Sequence, residues 1–397
     1  MKKSFTFILL SLMAIPVLFA QRPFGKDGLP PMGWNSWNWF GKYGIDEQIV
    51  REVIDAVADG GLKDAGYEYI VVDGGWRDTV LDRDGKLRAN PDRFPHGMKA
   101  LADYAHANGL KFGLHTVPGT HDCGGDKVGG FGHEELQIQQ FADWGIDFIK
   151  LDKCKYEDGY SWNEALLKDT YFKWYDLLQN CGRPIVLSIS AYTFRDWYPE
   201  ICVMARTTGD ILARVNGKDA VFDNQPRSVM YIAEENNESA PWAGNGYWND
   251  PDMLVTGDQG LTPDEQKAHF ALWCIMSAPL MLGNDPRNMS REENEIITNK
   301  DAIAVDQDPT EQGTRIRVSG KTEIWAKNLE NGHRAVLLLN RDTIRTMTIE
   351  LTAEDIGLKG DFSVRDIYAK EDLGLFTGSF SSRVNPSSGL FILVGKD

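Results

Sequence analysis

The chain has 397 residues, of which 42% are hydrophobic and 25% charged, with a formal net charge of −16. That length allows a large barrel plus a smaller domain rather than one small core. The negative charge argues against nucleic acid and anionic membrane surfaces as partners and disfavours polyanionic substrates, which leaves neutral ligands.

Residues 1–20 read as a signal peptide. Lys2 and Lys3 precede an apolar run from Phe5 to Phe19, and Ala20 before Gln21 fits a cleavage site. The run is too short to span a bilayer comfortably, and no other long apolar stretch follows. The mature protein is expected to be soluble and exported, either periplasmic or secreted. Export permits disulfides, and five cysteines (Cys123, Cys154, Cys181, Cys202, Cys274) leave at least one unpaired. With no CxxC and no Cys/His cluster at metal spacing, a structural zinc is not expected.

Residues 21–308 alternate strand-like and helix-like segments. The strands run through Met32–Trp34, Tyr69–Asp73, Lys111–His115, Phe148–Asp152, Ile185–Ser190, Ile201–Thr207, Trp248–Asp250 and Pro279–Leu282. Between them Asp46–Leu62, Met98–Ala107, Glu134–Trp144 and Glu164–Leu178 carry apolar residues at i, i+3, i+4 spacing, as amphipathic helices do. About eight such alternations predict an α/β fold, a (β/α)8 TIM barrel, rather than an open sheet. No dinucleotide-type glycine fingerprint follows the first strand. Residues 309–397 read instead as short alternating strands, including Thr322–Ala326 and Arg334–Leu339 around an Asn331–Gly332 turn. They predict a C-terminal antiparallel β-sandwich domain.

Barrel enzymes assemble their sites at the C-terminal ends of the strands, and polar residues gather there in this chain. Asp73, His115, Asp152, Ser190, Arg206 and Asp252 each close or follow a strand. Lys150 lies two residues before Asp152, on the same strand face, where its charge favours an ionised carboxylate. A carboxylate nucleophile needs an opposed partner, and Asp210 just beyond the sixth strand offers one, although it also suits a helix N-cap. The chain's twelve tryptophans suit stacking on pyranose rings, though most would serve packing.

Five motifs in order carry a resemblance: Pro31–Trp37, Lys150–Cys154, Arg206–Asp210, Trp248–Leu254 and Val305–Pro309. Together they resemble glycoside hydrolase family 27, the retaining α-galactosidase and α-N-acetylgalactosaminidase family. The resemblance implies a barrel plus β-domain, no cofactor, no metal and a carbohydrate substrate. It makes Asp152 the nucleophile and Asp210 the acid/base. It also implies that Lys150, Arg206, Trp34, Asp73, His115, Ser190 and Asp252 bind the sugar, and that Cys123 and Cys154 form a disulfide. Cys202 matches a second bridging cysteine whose usual partner position is Ile189.

Three departures bear on specificity. Where the family has a second carboxylate at the second strand end, this chain has Gly74, and the usual tyrosine of the third strand end is His115. Ser190 stands where α-galactosidases place a Glu, as in the N-acetylgalactosaminidase pattern. Terminal α-D-galactosides are the first expectation, and α-N-acetylgalactosaminides and β-L-arabinopyranosides, which lack the 6-hydroxymethyl, are alternatives. A noncatalytic carbohydrate-binding protein is a remoter reading, since it would not need both Asp152 and Asp210.

Overall fold

A computed structural model describes residues 28–157, 161–212, 222, 225–257 and 259–396, so the expected signal peptide lies outside the described residues. Eight strands form one parallel sheet: β1 (Met32–Asn35), β2 (Tyr69–Val72), β3 (Lys111–Thr116), β4 (Phe148–Asp152), β5 (Val186–Ser190), β6 (Met204–Arg206), β7 (Trp248–Asp250) and β8 (Leu280–Leu282). Their order is β7-β6-β5-β4-β3-β2-β1-β8. The sheet curls until Leu254, just past β7, bridges to Leu282 of β8, with its amide donating to the Met281 carbonyl at 2.8 Å. The fold is the expected TIM barrel.

Alternation along each strand explains how the barrel is filled. Tyr69, Val71, Phe148, Val186, Met204 and Met281 form one internal apolar cluster. Their neighbours Ile70, Val72, Ile149, Leu187 and Ala205 belong to a second cluster, shared with the surrounding helices. Continuing the inward series by two residues from Val71 gives Asp73, and from Phe148 it gives Lys150 and then Asp152. The interior therefore turns from apolar to charged toward one rim.

The expected helices form at Glu47–Asp59, Gly97–Ala107, Glu134–Trp144 and Glu164–Asn180. Asp46 caps the first, its carboxylate accepting from the Ile49 amide at 2.8 Å. Of the helices not expected, the longest among the described residues are Val229–Asn237 and Pro263–Ile275. The second is buried on nearly every side, so it lacks the one-sided apolar stripe by which helices are read.

Beyond the barrel lie β9 (Thr314–Ser319), β10 (Thr322–Asn328), β11 (Arg334–Asn340), β12 (Met347–Thr352), β13 (Asp361–Asp366), β14 (Glu371–Thr377), β15 (Ser379–Val384) and β16 (Ser388–Lys396). A six-stranded antiparallel sheet, β14-β13-β16-β11-β10-β9, packs on the β12–β15 pair. Val336 and Leu338 of β11 face the pair, with Ile349, Leu351 and Phe362. Ala335, Leu337 and Leu339 face the barrel's own core. Among the described residues no helix is long and apolar enough to cross a membrane.

Candidate active site

The charged rim holds a cavity whose lining includes both Asp152 and Asp210. Asp152 is 6% exposed. Its Oδ1 accepts from the Tyr192 hydroxyl at 2.5 Å and its Oδ2 faces His115 Nε2 at 3.3 Å. Burial works against ionising this carboxylate, but the His115 contact, the Lys150 charge and the Tyr192 hydrogen bond outweigh it, and its pKa lies below the ordinary 3.8. Burial together with the Asp152 carboxylate keeps the Tyr192 phenol protonated, well above its usual range.

The His115 ring is oriented from behind. The Arg77 guanidinium lies 3.1 Å from His115 Nδ1 and 3.3 Å from the Thr116 hydroxyl. Guanidinium can only donate, so Nδ1 must accept, and the ring proton then sits on Nε2, toward Asp152. The Trp76 indole N–H donates to the His115 carbonyl at 2.9 Å.

Lys150 does not grip Asp152 directly. Its ammonium bonds Asp73 Oδ2 at 2.7 Å, and Asn35 donates to the same oxygen at 2.9 Å. Burial alone would raise the Asp73 pKa, yet the Lys150 charge and the hydrogen bonds from Lys150 and the Gly74 amide hold it far below the usual carboxylate range. Lys150 acts on Asp152 through space, its charge favouring the ionised carboxylate as expected.

Arg206, whose guanidinium lies 5.7 Å from the Tyr192 ring centroid, is buried; its Nη2 reaches Asp210 Oδ1 at 3.2 Å and its Nη1 reaches Asp252 Oδ1 at 3.1 Å. Asp210 is the open member of the set, with half its side chain exposed, 50%. Asp252 adopts φ +88°, rare for a residue with a side chain, and its second oxygen accepts from the Ile211 amide at 2.8 Å. Burial pushes the pKa of its neighbour Asp250 up to about 6.

The cavity thus gathers Asp73, His115, Lys150, Asp152, Arg206, Asp210 and Asp252, but two expected wall residues are elsewhere. Trp34 is 1% exposed and its indole donates to the Asn284 carbonyl at 2.8 Å. Because Asn35 points inward to Asp73, strand alternation turns Trp34 outward into the helical layer. Trp37, 37% exposed, lines the cavity in its place. Ser190 is fully buried, its hydroxyl has no partner, and it does not line the cavity; Tyr192, two residues on, does. Tyr192 has φ +62°, which breaks the strand's alternation at this point. Arg77, Lys42 and Asp122 also line the cavity and carry no motif that marks them in the sequence.

Cys123 and Cys154 form the expected disulfide, with Cα atoms 4.9 Å apart, which ties the loops after β3 and β4 together beside Asp152. The two sulfurs lie near His115 and Asp152 in a metal-like cluster, but they are bonded to each other. Cys181, Cys202 and Cys274 are free thiols.

Residues 29–308 match the family described as alpha galactosidase A, and residues 319–394 match its C-terminal beta sandwich domain. An α-galactosidase of Cyamopsis tetragonoloba is 37% identical over 374 residues, covering 92% of this chain and 86% of the relative. The crystal structure of α-galactosidase I from Mortierella vinacea superposes with a TM-score of 0.85 at 32% identity, covering 93% of this chain and 98% of the other. That of a family 27 β-L-arabinopyranosidase from Geobacillus stearothermophilus superposes with a TM-score of 0.81 at 25% identity, covering 93% and 97%.

Proposed function

The chain belongs to the α-galactosidase family of glycoside hydrolases, and from that premise we propose that it is a retaining exo-glycosidase. It removes terminal α-D-galactosyl residues from oligosaccharides or glycans by double displacement. Asp152 attacks the anomeric carbon and forms a covalent glycosyl-enzyme while Asp210 gives its proton to the leaving oxygen. Asp210 then takes a proton from the water that attacks the same carbon, and Asp152 leaves.

The observation that carries this reading is the contrast between the two carboxylates. Asp152 is buried and ionised, with a donor on each oxygen, as a nucleophile must be. Asp210 is half exposed at the cavity mouth, where a leaving group and then water can reach it. In this scheme Asp73 and Lys150 bind hydroxyls at one end of the ring, Arg206 and Asp252 bind near the 2-position, and Trp37 stacks on the sugar face. A noncatalytic binding protein would need no such pair.

Among sugars, the N-acetylgalactosaminide reading depended on Ser190 leaving room for an acetamido group, and Tyr192 on the wall disfavours it. The arabinopyranoside reading keeps one observation in its favour, the missing carboxylate at Gly74. Turnover of nitrophenyl α-galactoside, α-N-acetylgalactosaminide and β-L-arabinopyranoside separates the three. For the mechanism, Asp152→Asn is expected to lower kcat by several orders of magnitude while galactose still binds by calorimetry; a variant as active as the parent removes Asp152 as the nucleophile. We further assign residues 21–308 to the catalytic domain, residues 309–397 to the β-domain and residues 1–20 to a cleaved export signal.

A further inference from the structure

Gly74 removes a carboxylate from the end of the cavity where Asp73 and Lys150 sit, yet that end is neither open nor apolar. A Cβ at position 74 would lie 3.2 Å from the Trp37 ring, so the indole packs close against the bare backbone there. A Cβ on Gly75 would collide with the Lys42 carbonyl, and one on Gly124 with the Lys42 ammonium. The bare backbones at 75 and 124 therefore let Lys42 and the loop after β3 close over this end.

Lys42 reaches Asp126 at 3.1 Å and Asp122 at 3.7 Å, which clamps that loop in place. Asp122 is buried, lines the cavity, and accepts the Asp126 amide through Oδ1 at 2.9 Å, and its neighbour Cys123 is anchored by the disulfide. Beside it is Arg77, whose buried Nε has no partner and which feels Asp122 more strongly than any other carboxylate.

We propose that Asp122, clamped by Lys42 and flanked by Arg77, replaces the carboxylate absent at Gly74 and selects sugars that carry a 6-hydroxyl group. This rests on the galactosidase reading above. A hydroxyl both donates and accepts, so it can serve Asp122 and the cationic donors at once. An exocyclic carboxylate would meet Asp122 with like charge. A pentopyranoside would leave these buried groups without a ligand partner, which is costly.

The experiment crosses Asp122→Ala and Asp122→Asn with nitrophenyl α-D-galactopyranoside and its 6-deoxy analogue, α-D-fucopyranoside. The expected result is a fall in kcat/KM on the galactoside roughly 10- to 100-fold larger than the fall on the 6-deoxy sugar, as for loss of a charge-assisted hydrogen bond. Equal losses on both substrates mean that Asp122 only holds the loop and overturn the proposal. If Asp122→Ala melts early, Asp122→Asn keeps the shape and the Asp126 contact and decides the matter. A parent enzyme that cleaves neither sugar would refute the galactosidase reading itself, and one that cleaves the 6-deoxy sugar or an arabinopyranoside as well as the galactoside would refute selection by the 6-hydroxyl alone.

Discussion

A carboxylate that must stay ionised while buried depends on each donor around it, and His115 is the donor that the chain has changed. Its Nε2–H faces Asp152 because Arg77 holds the other nitrogen. Burial raises the Asp152 pKa, and the His115 contact is foremost among the interactions that lower it. Replacing His115 with Phe should therefore move that pKa up, so activity is lost at higher pH on the acid side. We expect kcat/KM at neutral pH to fall roughly 10- to 100-fold, with the acid limb of its pH profile displaced upward. An unmoved acid limb would sever His115 from the nucleophile. Most of the site was legible as polar residues at strand ends, because inward alternation delivers them to one rim. Trp34 lies outside the cavity for the same reason that Asp73 lines it: its neighbour Asn35 takes the inward face, and Trp37 lies past the strand, where alternation no longer applies. Tyr192, at positive φ, escaped by the same route.

Helix Pro263–Ile275 shows where pattern reading stops. It is pressed between the barrel and the second domain, so apolar residues surround it and no stripe marks it. Its start was nonetheless written in the sequence as Thr262-Pro263-Asp264-Glu265. The Thr262 hydroxyl accepts the Glu265 amide at 3.3 Å, and the Glu265 carboxylate accepts the Thr262 amide at 2.9 Å, a reciprocal capping box. Thr262→Ala should cost about 1 kcal/mol of stability, seen as a lower denaturation midpoint with KM unchanged. A change in KM instead would tie this helix to the cavity. Strands β9, β14 and β15 went unread; the first two are largely exposed, and the third buries only Phe380 and Val384.

The two domains are interlocked as well as adjacent. Lys327 of β10 inserts between them, its ammonium bonding Ser277 Oγ at 2.5 Å, the Val305 carbonyl at 2.6 Å and the Asp308 carbonyl at 2.9 Å. Burial pushes the pKa of this lysine down to about 8. With Leu337, Leu339 and Phe391 it seals the inner face of the six-stranded sheet against the barrel. A chain ended after Asp308 should therefore expose that apolar face and aggregate, as light scattering of the purified truncation would report. A monodisperse, active truncation would show instead that the barrel is self-sufficient. The barrel itself is joined most thinly at the crossing from Leu254 to Leu282, two residues beyond Asp252 and its rare backbone angle. Whatever occupies the cavity against Asp252 also leans on that hinge of the cylinder, so an occupied molecule should unzip there more reluctantly than an empty one.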